Sequence, residues 1–249
     1  MARFLLKLVI PICIAFVAAS HSGVHAGWLD KGKKLLEEFS GGQSGSGILS
    51  NDEIAAGLKE ALRVGTDRVV GQLGAINGFN TDPSVHIPLP DSLKTVQSTL
   101  SKVGMSGMMD DLELRLNRAA EAATPKAKQL FLNSIQNMSL DDVRRIYEGP
   151  DDAATRYFRA QMSEPLAGEM MPIVNDSLSK VGAIKAYDDA MSRYDAIPFV
   201  PDVKTNLTGY VVDKGMEGIF YYLAKEEAAI RRDPLKRTTD LLQKVFGAR

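Results

Sequence analysis

The sequence predicts an all-α fold, and three observations lead there. Apolar residues recur three and four positions apart through nearly the whole chain. No stretch alternates apolar and polar residues with β-branched enrichment, so a sheet is not expected. Capping residues, prolines and glycines cut the periodic runs into about nine helices with two proline-rich loops, forming a single-domain multi-helix bundle over residues 48–249.

Taken in order, residues 1–26 read as a signal peptide. Arg3 and Lys7 give a positive start, Leu8 to Ala19 an apolar run, and Val24-His25-Ala26 a cleavage site before Gly27. The apolar run is too short to cross about 30 Å of hydrocarbon, and no transmembrane segment is expected once it is cleaved. The expected location is the periplasm or the medium, reached by the general secretory route. Residues 28–39 (WLDKGKKLLEEF) place Trp28, Leu35, Leu36 and Phe39 on one face of a short amphipathic helix. Residues 40–47 (SGGQSGSG) are a flexible linker with a reach of about 16 Å. The short helix is therefore leashed to the domain, free to dock on it or to touch a partner or membrane surface.

From there the signals are regular. Ser50 with Glu53 forms a capping box for a helix ending near Gly74. Residues 78–90 (GFNTDPSVHIPLP) form a proline-bounded extended loop, because each proline lacks an N–H and disfavours helix in its predecessor. Asp91 caps the next helix, with Leu93, Val96, Leu100 and Val103 on one face. A helix over 106–123 follows Gly104. Thr124-Pro125 then reads as an N-cap with proline at the first position of a new helix. Ser139 with Asp142 starts a short helix that Gly149-Pro150 stops. Asp151 opens the next, which Pro165 and Pro172 break or kink before Gly182 ends it. Ile184, Tyr187, Met191 and Tyr194 mark a further helix, and residues 195–204 a second proline-containing loop. A long helix covers 206–233, and Leu241, Leu242, Val245 and Phe246 close the chain on a last amphipathic turn or two.

Composition removes several functions. With the signal's Arg3 and Lys7 gone, 28 of the 30 basic residues face 31 acidic ones. That balance does not suit a nucleic-acid binder, which needs concentrated positive charge. The single cysteine, Cys13, and two of the three histidines, His21 and His25, lie in the signal. Disulfides, thiol nucleophiles and the usual Cys/His zinc sites go with them, and no cofactor is expected. No phosphate-binding loop, nucleophile elbow, zinc-protease helix or dinucleotide fingerprint occurs.

Gly78-Phe79, the run Val85 to Pro90, Leu116-Asn117-Arg118-Ala119-Ala120-Glu121 and Asp151 to Phe158 (DDAATRYF) resemble signatures of the bacterial family catalogued as domain of unknown function 4197. The likeness runs from about Leu49 to Phe246. It implies an exported, helical, single-domain protein and brings no reaction, ligand or catalytic residue.

Among candidate sites, Asn117, Arg118 and Glu121 are the most polar cluster beside a core face. An amide, a guanidinium and a carboxylate on one helix turn suit either an anion-binding pocket or a brace between helices. Asp151 and Asp152, and likewise Asp110, Asp111 and Glu113, read as carboxylates attracted to helix starts. His86, the one imidazole outside the signal, is a candidate ligand contact or a packed loop residue. Gly209, Gly215 and Gly218 interrupt the long helix beside Tyr210 and Tyr222. They permit either close helix approach or a cavity wall for an apolar ligand.

The leading expectation is a non-enzymatic binding or interaction protein that holds a small apolar or anionic ligand near Asn117, Arg118, Glu121, His86, Tyr210 and Tyr222, or an envelope partner. A carboxylate-dependent hydrolase or lyase, with or without a metal, is the alternative. An envelope-associated structural component using the 28–39 helix is a third.

Overall fold

The computed structural model describes residues 50–247. The signal peptide, the 28–39 helix and the 40–47 linker lie outside the described residues. Eight α-helices and no strand occur among the described residues, so the all-α single-domain expectation holds.

Helix α1 (Asn51–Leu73) starts at the capping box foreseen for it: Ser50 Oγ accepts from Glu53 N–H at 3.2 Å, and the Glu53 carboxylate accepts from Ser50 N–H at 3.0 Å. It stops at Gly74. Its stripe Leu58, Ala61, Leu62, Val69 and Leu73 is buried. A single 3₁₀ turn, Asp91–Leu93, leads into α2 (Lys94–Lys102). Asp91 lies inside that turn and pairs with Lys94 at 2.7 Å, so it does not cap the helix.

The expected boundary at Thr124 does not exist. Helix α3 (Ser106–Gln136) runs through it with Pro125 inside. The Thr124 hydroxyl donates back to Ala120 C=O at 2.8 Å instead of accepting an N–H ahead of it. A proline removes one ladder bond, and tertiary packing here outweighs that loss. The Pro125 ring fills the space above Gly74, where a Cβ would come within 2.7 Å of it. Helix α4 (Leu140–Glu148) has the second capping box, Ser139 with Asp142. Helix α5 (Ala153–Lys180) is likewise continuous through Pro165 and Pro172, because Leu166, Met170, Val174 and Leu178 keep an unbroken buried stripe across both.

Gly182 adopts φ +74°, the left-handed conformation glycine tolerates, and turns the chain into α6 (Ala183–Asp195). Helix α7 (Leu207–Arg232) is capped by Asn206, whose side-chain oxygen accepts from Gly209 N–H at 2.9 Å. After a 3₁₀ turn, Pro234–Lys236, helix α8 (Asp240–Gly247) buries Leu242, Val245 and Phe246. The long helices α1, α3, α5 and α7 pack on one another around one contiguous core. The short helices α4 and α8 lie on α1, while α2 and α6 lie on α3.

Candidate functional site

Four polar residues of α3, Glu113, Asn117, Arg118 and Glu121, turn toward the irregular segment 77–89. Glu113, Asn117 and Glu121 stand four apart and so share one helix face. Glu121 accepts from the N–H groups of Phe79 and Asn80 at 3.2 and 3.1 Å. Asn117, wholly buried, accepts from Ile87 N–H at 2.9 Å and donates to Ile87 C=O at 2.8 Å. Glu113 accepts from Leu89 N–H at 3.1 Å. Arg118 bridges Glu121 at 2.6 Å and the Asn77 side chain at 2.7 Å. Asn77 itself sits at φ +70°. An extended segment without a neighbouring strand needs partners for its buried N–H and C=O groups. These side chains supply them.

The loop's other side is held from α7. The Tyr210 hydroxyl donates to Pro88 C=O at 2.9 Å, and that of Tyr222 to the Asp82 carboxylate. Gly218 admits the loop: a Cβ there would stand 2.8 Å from Phe79 Cε1 and 3.3 Å from Val85. His86 has both ring nitrogens engaged, Nδ1 with Asn80 C=O and Nε2 with Glu113, each at 2.9 Å. All six expected residues are thus brought together, around a stretch of the chain's own backbone. Among the other glycines of α7, Gly215 has open space beside its Cβ position, and Gly209 serves the Asn206 cap.

Beyond the loop's outer edge lies an open cleft of about 720 Å³ between α5, α7 and residues 84–88. Four cations line it: Arg156 and Arg159 from α5, Lys214 and Lys225 from α7. Two carboxylates, Asp152 and Glu217, line it too, each already paired, Asp152 with Arg156 and Glu217 with Lys214, both at 2.8 Å. The other two cations lie on aromatic faces. Arg159 is 5.0 Å from the Phe220 ring centroid, and Lys225 is 4.5 Å from that of Tyr221. Such contacts hold a cation in place without neutralising it. Lys225, and after it Ser84, hold the Tyr221 phenol below its ordinary range. Of the expected residues, His86 alone lines this cleft. Arg118 and Glu121 border a smaller depression of about 440 Å³ with Ile76 and Leu114.

A buried ion pair sits behind the cleft. Glu227 on α7 accepts from the N–H groups of Ala154 and Thr155, both at 2.9 Å, and from the Thr155 hydroxyl at 3.0 Å, so it caps α5 from another helix. Arg231, one turn on, binds Glu227 at 3.0 Å and donates to Ile146 C=O at 2.8 Å, at the carbonyl end of α4. A carboxylate at a helix start and a guanidinium at a helix end match the two dipoles. The expectation that Asp151 and Asp152 serve as α5's caps is therefore corrected. Asp151 pairs with Arg232 and Asp152 with Arg156. Nor do Asp110, Asp111 and Glu113 mark a helix start, since α3 begins at Ser106.

Residues 48–247 match the family described as Protein of unknown function (DUF4197), the span of the helical domain. The chain belongs to this family. No curated protein and no solved structure matches it. Among the described residues of this DUF4197 domain, no group of three or more His, Asp and Glu side chains is placed to hold a metal ion.

The cleft cations escaped the sequence reading, although a signal existed. Lys214, Tyr221, Lys225 and Ala228 fall at spacings of seven, four and three, one face of a helix. What the spacing lacks is the opposite wall. Arg156 and Arg159 reach it only through the packing of α5 on α7.

Proposed function

We propose that the protein is an exported, non-enzymatic binding protein whose α5–α7 cleft holds the negatively charged group of a small organic ligand. The observation that carries this reading is the charge balance of the cleft, four cations against two carboxylates that are already paired. A concave surface with one sign of charge in excess concentrates the opposite charge. The walls of Val85, Phe220, Ala224 and Ala228 add apolar area for the body of the ligand. Two further points support binding over hydrolysis: the two cleft carboxylates are ion-paired, and Glu113, Asn117 and Glu121 of α3 are occupied by backbone groups. Export is supported by the leader-like first 26 residues.

Thermal melting at low ionic strength tests the reading. Small organic anions should raise the melting temperature, small cations should not, and Lys225→Glu should remove the effect. Lys185→Glu, on α6 and outside the cleft, should leave it intact. If no anion stabilises the protein, the reading fails. Cell fractionation with N-terminal sequencing tests export: a mature protein beginning at Gly27 is expected, and a cytoplasmic protein retaining Met1 or Ala2 would refute it.

A further inference from the structure

The two cations of the cleft that have no carboxylate partner both line it and both lie on rings of α7. Phe220, which carries Arg159 on its ring, and Tyr221, which carries Lys225, are consecutive residues of α7. Of the paired cations, Lys214 lies about 16 Å along the α7 axis from Lys225, at ~1.5 Å per residue, and Arg156, about one turn before Arg159, is tied to Asp152. Arg159 and Lys225, which have no ion-pair partner in the cleft, thus form the centre of its excess positive charge. Around that centre stand hydroxyl donors, Ser84 and Tyr221. Below it, buried Thr155 is already committed to Glu227.

A carboxylate brings one charge and two oxygens. It would satisfy the Arg159 fork and leave Lys225 unmatched. A phosphoryl group brings close to two charges at neutral pH and three outward oxygens, enough for a guanidinium, an ammonium and a hydroxyl together. An arginine fork with a lysine point charge is a common pairing around phosphate. Their stacking on Phe220 and Tyr221 lowers the freedom these long side chains must lose when they bind.

Building on the anion-cleft reading, we propose that the group held between Arg159 and Lys225 is a doubly charged phosphoryl group, a phosphomonoester of a small molecule or of a lipid head. The aromatic and alanine walls accept the organic part. The two sources present the same chemistry to the cleft.

The experiment is calorimetric titration of the full-length secreted protein at pH 8 with phenyl phosphate, phenyl sulfate and benzoate. The three share a ring and differ in charge and oxygen count. Phenyl phosphate is expected to bind at least about tenfold more tightly than the other two, since one charge-assisted contact separates them. Arg159→Met and Lys225→Met should each remove that preference while leaving the melting temperature of the free protein unchanged. Equal affinity for phosphate and benzoate, still lost on Lys225→Met, overturns the phosphoryl assignment and keeps the anion cleft. Binding of none of the three overturns both. Sedimentation with phosphatidic acid vesicles, competed by phenyl phosphate, assigns the source to lipid. Titration with phenyl phosphate but no sedimentation assigns it to a soluble phosphomonoester, and either result supports the proposal.

Discussion

The side-chain amide of Asn117 pairs with both backbone groups of Ile87, at 2.9 and 2.8 Å, as a neighbouring strand would. A third bond, to Glu113 C=O at 2.9 Å, fixes the amide on its own helix. Asn117→Ala leaves a buried N–H and a buried C=O of Ile87 without partners, and each such group costs about 1–3 kcal/mol. Urea unfolding should show a loss of about 2–4 kcal/mol, with faster hydrogen exchange across residues 79–89 than across α5. A loss under 0.5 kcal/mol would show that water replaces the amide.

Glu227 and Arg231 depend on one another. Glu227→Ala strands a buried guanidinium and should cost about 3–5 kcal/mol. Replacing both by Leu should cost less than the two single changes summed, because no charge is then left unpaired. A double-mutant cycle reads the coupling, and strict additivity would contradict the pairing seen here.

Two acidic groups give opposite pH signs. The Ser139 hydroxyl, then Arg145, Ser139 N–H and Tyr157, hold the Asp142 carboxyl at about 2. The folded state binds that proton less readily than the unfolded chain. Asp142 thus contributes stability above about pH 4, lost as pH falls towards 2. Burial pushes the Glu227 carboxyl up, outweighing the pull of the Ala154 and Thr155 N–H groups and Arg231. Its contribution falls as pH rises above the ordinary glutamate range. Melting temperature against pH should flatten on the acid side for Asp142→Asn, and lose its decline above pH 4.5 for Glu227→Gln.

Gly215 and Gly218 should respond oppositely to alanine. Nothing stands near a Cβ at Gly215, so Gly215→Ala should gain about 1 kcal/mol of helix propensity. At Gly218 the added carbon meets the buried Phe79 ring and should cost about 1–3 kcal/mol. Equal effects in thermal denaturation would mean that the loop 77–89 does not seat on α7.

Phe199 is fully exposed at φ +66°, a conformation that disfavours a bulky side chain. Phe199→Gly loses no packing and relieves that strain, so a stability gain of about 0.5–1 kcal/mol is expected. A lower melting temperature would show that the ring contributes a contact.

Local signals were legible where they act within one turn. Ser50, Ser139 and Gly74 do what their spacing implied, because a capping hydrogen bond spans three or four residues. Pro125 starts no helix, for the converse reason, and of the break or kink expected at Pro165 and Pro172 the break does not occur. A proline's local preference is modest beside the burial of a stripe such as Leu166 to Leu178, which no window of sequence displays. Asn117, Arg118, Glu121, His86, Tyr210 and Tyr222 were recognised as a set. Their partner was not, since an extended loop and an absent ligand ask for the same donors and acceptors.

The amino-acid order by itself determined an all-helical domain, its main starts and stops, and the absence of thiol chemistry from the described domain, since these follow from side-chain period, caps and composition. Only the tertiary structure decided that Glu227 caps a helix more than seventy residues away, that Glu113, Asn117 and Glu121 of α3 are spent on residues 77–89, and that Arg159 and Lys225 line one cleft. Those outcomes depend on which helix packs against which, and that choice is made by the summed burial of the core rather than by any segment within it.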